Sequence, residues 1–187
     1  FPPKIVSFGP TLEHYNRIIQ SGFLENLWVS IFNSTVSIIL GGSLAILAAY
    51  GFDRFRFRSR KMLFFFVVLG IPLSIGSSML LIPNFLYMSK LGLTDTRFTL
   101  VLLYTTYNLP MAIWIMKGAF EAVPVEIDEA ARMEGASSMF VLWKLIVPLS
   151  KPALAAAALF IFIGSWNEFI AASVMVNAPE FRPVQLA

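Results

Sequence analysis

The sequence predicts an all-α membrane protein, a bundle of helices that cross a bilayer. Of its 187 residues, 57% are hydrophobic and 13% are charged, and the mean hydropathy is +0.74. Ordinary soluble domains contain about 25% charged residues. A chain of this length cannot bury so much apolar surface in its own core, so the expected solvent is a bilayer. Four apolar stretches are also long enough to cross the hydrocarbon layer, which takes about 20 helical residues.

The four predicted spans run from about residue 27 to 51, 62 to 89, 99 to 116 and 152 to 176. The second contains Pro72 and Pro83, and proline removes a backbone hydrogen bond and kinks a helix. Each of the other three carries polar residues near its middle or end. Such side chains either form hydrogen bonds between helices or line a polar path.

The loop at residues 53–61 predicts the orientation of the bundle. It carries five Lys or Arg and one Asp between two apolar stretches. A nucleic-acid site also interleaves cations and aromatics, but this position favours a cytoplasmic loop under the positive-inside rule. Residues 117–151 are then cytoplasmic, and residues 1–26, 90–97 and 177–187 are external. We expect residues 1–187 to form a single transmembrane domain.

Several chemistries lack their usual residues. Cysteine is absent, and His14 is the single histidine, so we expect no disulfide and no metal site. The sequence has no phosphate-binding Gly-x-x-x-x-Gly-Lys-Ser/Thr loop and no Gly-x-Ser-x-Gly nucleophile motif. We therefore expect no catalytic residues, no bound cofactor and no enzymatic activity of the chain alone. The energy for any transport must come from a partner or an ion gradient.

A polar insert at residues 120–150 interrupts the apolar chain. Pro124 suits the first turn of a helix, and the acidic residues Glu126, Asp128 and Glu129 suit the positive end of its dipole. Gly135 is placed to end this helix in a left-handed conformation.

A second short helix is predicted from about Met139 to Ile146. Ser137 or Ser138 can cap its start, and Pro148 marks its stop. We expect it to expose Phe140, Val141, Trp143 and Lys144. Large apolar groups on a water-side helix need a partner. They either dock on another protein, pack on this chain's own helices, or anchor at the lipid interface.

The insert contains a recognisable motif. Its elements are Glu129-Ala130-Ala131, Gly135 after three residues, and Leu145-Ile146-Val147-Pro148 after nine more. This pattern resembles the EAA motif of the membrane subunits of binding-protein-dependent ABC importers. Those subunits commonly end the motif with Ile-x-Leu-Pro, so the ending here is a conservative departure. The segments 164–169 and 182–187 resemble the MalG-like, carbohydrate-uptake branch of these MetI-like permeases.

The resemblance implies a set of partners. The insert would be the coupling loop that docks on paired ATPase subunits, which hydrolyse the ATP. A second permease subunit would complete the pore, and an extracytoplasmic solute-binding protein would deliver a sugar, an oligosaccharide or a polyol phosphate. The protein would be located in a bacterial or archaeal plasma (inner) membrane. It would contact membrane lipid and would bind no nucleic acid. Such permeases usually have six spans, and this chain would hold the middle four.

The same resemblance implies which residues of the loop contact the ATPase. These candidates are Glu129, Ala130, Ala131, Gly135, Phe140 and Pro148. The two alanines would permit close approach of helices, Glu129 would pair with a cation, and Gly135 would set the turn.

Glu168 is the acidic residue that lies deepest in a predicted span. A charge at the bilayer centre costs about 2.5–3.5 kcal/mol on insertion scales, so it should face the bundle or a water path. It could form a structural hydrogen bond, line the translocation path or couple to protons. The translocation-path candidates are Asn33, Asn108, Ser165, Asn167 and Glu168. The alternative functions are an ion-coupled secondary transporter that uses Glu168 and a non-transporting membrane scaffold.

Overall fold

The computed structural model of the protein describes residues 22–75 and 78–186. The described residues form helices, turns and loops, with no strand among them. Residues 1–21 of the predicted external segment 1–26, including His14, lie outside the described residues. The helices are α1 (Phe23–Arg54), α2 (Arg60–Ile75), α3 (Ser78–Lys90), α4 (Arg97–Glu121), α5 (Val125–Met133), α6 (Ser138–Leu149), α7 (Lys151–Trp166) and α8 (Ile170–Met175).

The helices agree with two of the predicted spans and divide the other two. The helices α1 and α4 contain the first and third spans, and each is long and apolar enough to cross a membrane. The second span is divided between α2 and α3, which flank residues 76–77. The fourth is not one straight helix, because α7 ends at Trp166 and α8 begins at Ile170. The pair α6 and α7, bent by 83°, forms a third candidate span in the described ranges.

Helix α4 lies at the centre of the bundle and packs against α1, α2 and α7. Small buried residues line these contacts, among them Ala45, Ala49, Ala112 and Ala157. Small side chains let helix backbones approach closely, which is how helices associate within a bilayer. The outer surface is apolar and exposes large side chains such as Trp28, Ile39, Phe65 and Leu159. An apolar surface around an apolar core fits a protein whose solvent is lipid.

The loops gather at two opposite ends of the bundle. At one end Arg54, the last residue of α1, pairs with Asp128 of the polar insert. At the other end Asp95, between α3 and α4, accepts hydrogen bonds from the backbone N–H groups of Asn177 and Ala178. These contacts place loop 53–61 beside the insert at 117–151, and the connection 90–97 beside the segment after residue 176.

Candidate functional sites: a helical hairpin and a polar cavity

The first candidate site is the hairpin that α5 and α6 form in the polar insert. Helix α5 begins directly after Pro124, and Gly135 follows its end with a φ of +87°. The Gly135 N–H donates to the Arg132 carbonyl at 3.0 Å, and the Ala136 N–H donates to the Ala131 carbonyl at 3.0 Å. These bonds satisfy carbonyl groups that the helix end leaves free. The prediction of a left-handed turn at Gly135 is confirmed.

The two faces of α5 have different surroundings. Asp128 is 3% exposed and points toward α1. Ala131 is half-buried against the apolar core. Glu129 and Ala130 are exposed, and Met133 is 89% exposed. The Glu-Ala-Ala triplet is therefore split, since its first two residues face outward and its third packs against the bundle.

The second helix of the hairpin is longer than predicted. The Oγ of Ser137 accepts the N–H of Phe140 at 3.2 Å, so Ser137 caps α6 in place of Ser138. Helix α6 then runs to Leu149 through a π-helical turn at Leu142–Ile146. Phe140, Trp143 and Lys144 are exposed, as predicted.

The prediction that Val141 is exposed is wrong. Val141 is fully buried, as are Leu142 and Ile146, and all three belong to the apolar cluster between α1, α4 and α7. Pro148 is exposed one residue before the end of α6, where the chain bends by 83° into α7. Own-packing and exposure thus coexist on this helix, on different faces.

The second candidate site is a cavity of about 340 Å³ between α4 and the end of α7. Its size lies at the lower end of the range for small-molecule pockets, about 300–1,000 Å³. The lining residues are Tyr104, Tyr107, Asn108, Phe160, Gly164, Asn167 and Glu168. Three of the five predicted path residues, Asn108, Asn167 and Glu168, are therefore brought together.

Asn33 and Ser165, the other two predicted path residues, do not line this cavity. Both are almost completely buried, at 0% and 1% exposure. Within the described part of the chain, neither side chain has a hydrogen-bond partner.

The sequence prediction missed the two tyrosines of the cavity. Tyr104 and Asn108 lie four residues apart on α4, so they share a helix face. That spacing was the signal that could have identified Tyr104. The hydroxyl of Tyr107 accepts a hydrogen bond from Asn84 Nδ2 at 2.8 Å, which connects α3 to the cavity wall.

Asn108 holds a fixed position in the cavity wall. Its Nδ2 donates to the carbonyl oxygen of Tyr104 at 2.7 Å, and the residue is buried. Its amide lies directly against Gly164, where a Cβ would stand 2.0 Å from Asn108 Oδ1. A glycine is thus required for α4 and α7 to approach this closely.

Glu168 has a structural contact as well as a place in the lining. Its Oε1 accepts the N–H of Ala171 at 2.9 Å, which satisfies a free donor in the first turn of α8. Asn167 Nδ2 donates to the Ile163 carbonyl at 2.9 Å, at the end of α7. Both bonds lie at the break in the fourth predicted span. The Glu168 side chain satisfies a free N–H of α8, and the Asn167 side chain adds a second donor to the Ile163 carbonyl, which also accepts the Asn167 N–H.

The described residues contain no group of three or more His, Cys, Asp or Glu that could hold a metal ion.

Comparison with known proteins identifies the family. Residues 37–187 match the model of the family described as "Binding-protein-dependent transport system inner membrane component". The chain belongs to this family. The resemblance predicted from the EAA motif is confirmed.

The chain is similar to several members of this family. It is 32% identical to the maltodextrin transport system permease protein MdxG of Bacillus subtilis, over 91% of this chain and 61% of that protein. It is 33% identical to the trehalose/maltose transport system permease protein MalG of Thermococcus litoralis, over 96% of this chain and 65% of that protein. The chain thus spans slightly less than two thirds of these relatives.

The fold is similar to that of a solved transporter. The crystal structure of a bacterial ABC transporter involved in the import of the acidic polysaccharide alginate matches 92% of this chain and 60% of the solved chain. The TM-score is 0.80 and the sequence identity is 31%. The prediction of an all-α membrane bundle of the ABC-permease type is confirmed. The ion-coupled alternative that uses Glu168 is not supported, because the relatives are permeases of ABC systems, and a transport family also argues against a scaffold.

Proposed function

We propose that this chain is the membrane-spanning core of a permease subunit in an ATP-driven importer. It forms half of a translocation pore with a second permease subunit, and a separate ATPase supplies the energy. The observation that carries this proposal is the α5–α6 hairpin, which presents the Glu129 and Ala130 part of the EAA motif outward. The hairpin projects from the end of the bundle where Arg54 ties it to α1.

The hairpin is proposed as the docking surface for the ATPase. Glu129 pairs with a cation of the ATPase, and Ala130 lets the partner's backbone approach closely. The exposed ring of Phe140 enters an apolar groove, since large apolar side chains on an exposed helix mark contact sites. Ala131 supports the hairpin from the inside, where it packs on the core. Gly135 sets the turn, and Pro148 lies beside the bend that leads into α7.

ATP drives the pore through movement of this hairpin. Paired ATPase subunits close on binding ATP, displace the two hairpins of the permease pair, and switch the pore between its two accessible states. The chain contains no phosphate-binding loop of its own, so the ATP is bound and hydrolysed by the partner. An external binding protein delivers the solute to the opposite end of the bundle.

The cavity between α4 and α7 is proposed as part of the path of a carbohydrate. The rings of Tyr104, Tyr107 and Phe160 offer apolar faces to the C–H side of a sugar. The amides of Asn108 and Asn167 offer hydrogen bonds to its hydroxyl groups. The carboxylate of Glu168 disfavours an anionic solute by like-charge repulsion. We therefore favour a neutral sugar or oligosaccharide over a polyol phosphate.

The orientation of the bundle follows from the same proposal. The family is one of inner-membrane components, and the loop 53–61 carries the cations that mark a cytoplasmic segment. Residues 53–61 and 117–151 then face the cytoplasm of a bacterium or archaeon, where the ATPase is available.

The test is reconstitution of the whole transporter in lipid vesicles, with ATP hydrolysis and solute uptake measured together. The full permease should co-purify with its ATPase. Glu129→Lys and Gly135→Pro should each uncouple hydrolysis from uptake, because the first reverses the docking charge and the second cannot adopt the left-handed turn. Glu180→Lys makes the same charge change at the opposite end and should leave coupling intact. Unchanged uptake in both hairpin variants would contradict the coupling assignment.

The same vesicles test the cavity. Asn167→Ala removes an amide from the lining and should raise the solute concentration at half-maximal uptake by about 2- to 12-fold, the value of one typical hydrogen bond. A variant with unchanged solute dependence would exclude Asn167 from the path.

A further inference from the structure

Arg54 ends α1 in a buried position where its guanidinium contacts three helices. Its side chain is 4% exposed. The Nη2 donates to the carbonyl oxygens of Val123 at 2.8 Å and Phe120 at 3.3 Å. The Nε lies 3.2 Å from Oδ2 of Asp128, and the Nη1 lies 2.9 Å from Oδ2 of Asp53. The Nη2 is thus hydrogen-bonded, whereas Nη1 and Nε lie at ion-pair distance from the two carboxylates and, among the described residues, make no hydrogen bond to them.

The contacts of Arg54 stabilise polar groups at the ends of three helices. The carbonyls of Phe120 and Val123 lie at and just beyond the end of α4, where carbonyl groups lack partners within the helix. A cation at that position also interacts favourably with the helix dipole. Asp128 belongs to the first turn of α5, where the dipole favours an acid. One side chain thus joins the ends of α1 and α4 to the start of α5.

A second contact holds α5 against α1 one turn away. The Nη2 of Arg132 donates a long hydrogen bond, 3.5 Å, to the hydroxyl of Tyr50. Asp128 and Arg132 are four residues apart on α5, and Tyr50 and Arg54 are four residues apart on α1, so each pair shares a helix face. Two contacts along the same face restrain the direction of α5 as well as its position.

We propose that Arg54 is a positioning residue that makes the ends of α1, α4 and α5 move as one unit. A displacement of the hairpin by the ATPase is then passed directly to the two longest helices of the described bundle. This inference rests on the proposed function, which supplies the displacement. These three helix ends stay together during transport, because separating Arg54 from Asp128 would leave an uncompensated charge in a buried site.

The geometry requires an arginine. A guanidinium is planar and presents five donors in a fixed fork, whereas a lysine ammonium is a point charge at the end of a flexible chain. Lysine at this position keeps the charge but cannot reach the two carbonyls, Asp53 and Asp128 together. The neighbouring Arg56 and Arg58 are exposed in the loop that follows, and the sequence-based prediction grouped Arg54 with them.

The inference is tested by the amount of solute imported per ATP hydrolysed, in vesicles that contain the complete transporter. Arg54→Lys and Asp128→Asn should each lower this ratio by about 2- to 30-fold, the range expected for residues in a coupling network. Arg56→Lys and Glu180→Gln are matched controls at exposed positions outside the hairpin and should leave the ratio unchanged. If Arg54 has a merely structural role, uptake and hydrolysis fall together with the yield of complex and the ratio stays constant, which overturns the inference.

A second measurement tests the inference if the Arg54 and Asp128 variants fail to assemble. Spin labels at Arg56→Cys and Glu126→Cys report the distance between the end of α1 and the start of α5 in the otherwise unaltered transporter. The distance should be the same without nucleotide and with ATP bound, and a change would overturn the inference. A wild-type transporter that does not import solute with ATP counts against the proposed function. A wild type that imports, together with an unchanged ratio in both variants, counts against the role of Arg54 alone.

Discussion

At the scale of single residues, Gly164 controls how closely α4 and α7 can pack at the cavity. A Cβ at position 164 would lie 2.0 Å from Oδ1 and 3.1 Å from Nδ2 of Asn108. The amide of Asn108 cannot turn away freely, because it donates to the Tyr104 carbonyl. An added methyl group must therefore separate the helices or break that hydrogen bond.

We predict that Gly164→Ala lowers the free energy of unfolding by about 1–3 kcal/mol, the usual cost of overpacking. The matched control is Gly42→Ala, where a Cβ would meet no atom within 4 Å. Alanine is favoured over glycine in a helix by roughly 0.8–1 kcal/mol, so this control should be neutral or stabilising. Chemical unfolding of the purified permease in detergent measures both. Equal stability of Gly164→Ala and wild type would contradict the prediction, because it would show that the added methyl group fits between α4 and α7.

The location of residues in the cavity could be predicted only in part. Asn108, Asn167 and Glu168 were predicted from their polarity within apolar stretches, and they line the cavity. Asn33 and Ser165 have the same polarity and do not line it. The difference is the helix face on which each lies relative to the bundle, and this depends on tertiary packing that no local pattern encodes.

At the scale of the elements, the sequence predicted helices that begin after a proline and end before a glycine. Pro124, Gly135 and the acids between them placed α5 within about two residues. The break between α7 and α8 was missed, because residues 152–176 read as one apolar run. It depends on a hydrogen bond from the Ala171 N–H to the side chain of Glu168. The burial of Val141 was missed because a short helix with apolar residues on several faces has no clear periodicity.

Hydrogen bonds of Asp95 join two connecting segments, which is a feature at the scale of elements. Asp95 has a φ of +59°, and its N–H donates to the carbonyl of Met175 at 3.0 Å. Its carboxylate accepts the N–H groups of Asn177 and Ala178. These backbone hydrogen bonds hold the pKa of Asp95 below its usual value. The connection between α3 and α4 is thereby joined to the segment after α8.

The lowered pKa of Asp95 predicts that the stability of these hydrogen bonds depends on pH. Because the carboxylate has a lower pKa in the folded state, its contribution is fully present above the unfolded pKa of about 3.9 and is lost as the pH falls through the folded pKa. Asp95→Asn removes the charge and retains a side chain that tolerates positive φ. The variant should increase hydrogen exchange in residues 91–96 and 176–178 at about pH 6, and the difference from wild type should shrink at about pH 3. A difference of equal size at both pH values would contradict the prediction.

At the scale of the whole molecule, two helices join the hairpin end to the cavity. Helix α7 has 16 residues, which corresponds to roughly 24 Å, and it runs from the bend at Ser150 to the cavity residue Gly164. Helix α4 runs from Tyr104 at the cavity to Phe120 beside Arg54. A rigid displacement of either helix by the hairpin therefore changes the cavity lining directly. This arrangement explains how a partner at one end could alter access to a solute within the bundle.

The two-ended arrangement predicts which positions a membrane-impermeant thiol reagent can reach. These 187 residues contain no cysteine, so single cysteines can be introduced in a permease whose other cysteines, if present, are replaced by serine. Glu180→Cys should react in intact spheroplasts, since it is exposed at the end that contains Asp95. Arg58→Cys, exposed in the cation-rich loop at the hairpin end, should react only after permeabilisation. Reaction of both from the outside would contradict the grouping of loops at two ends. The reverse pattern would place the hairpin outside the cell, away from ATP, and would contradict the proposed docking of an ATPase.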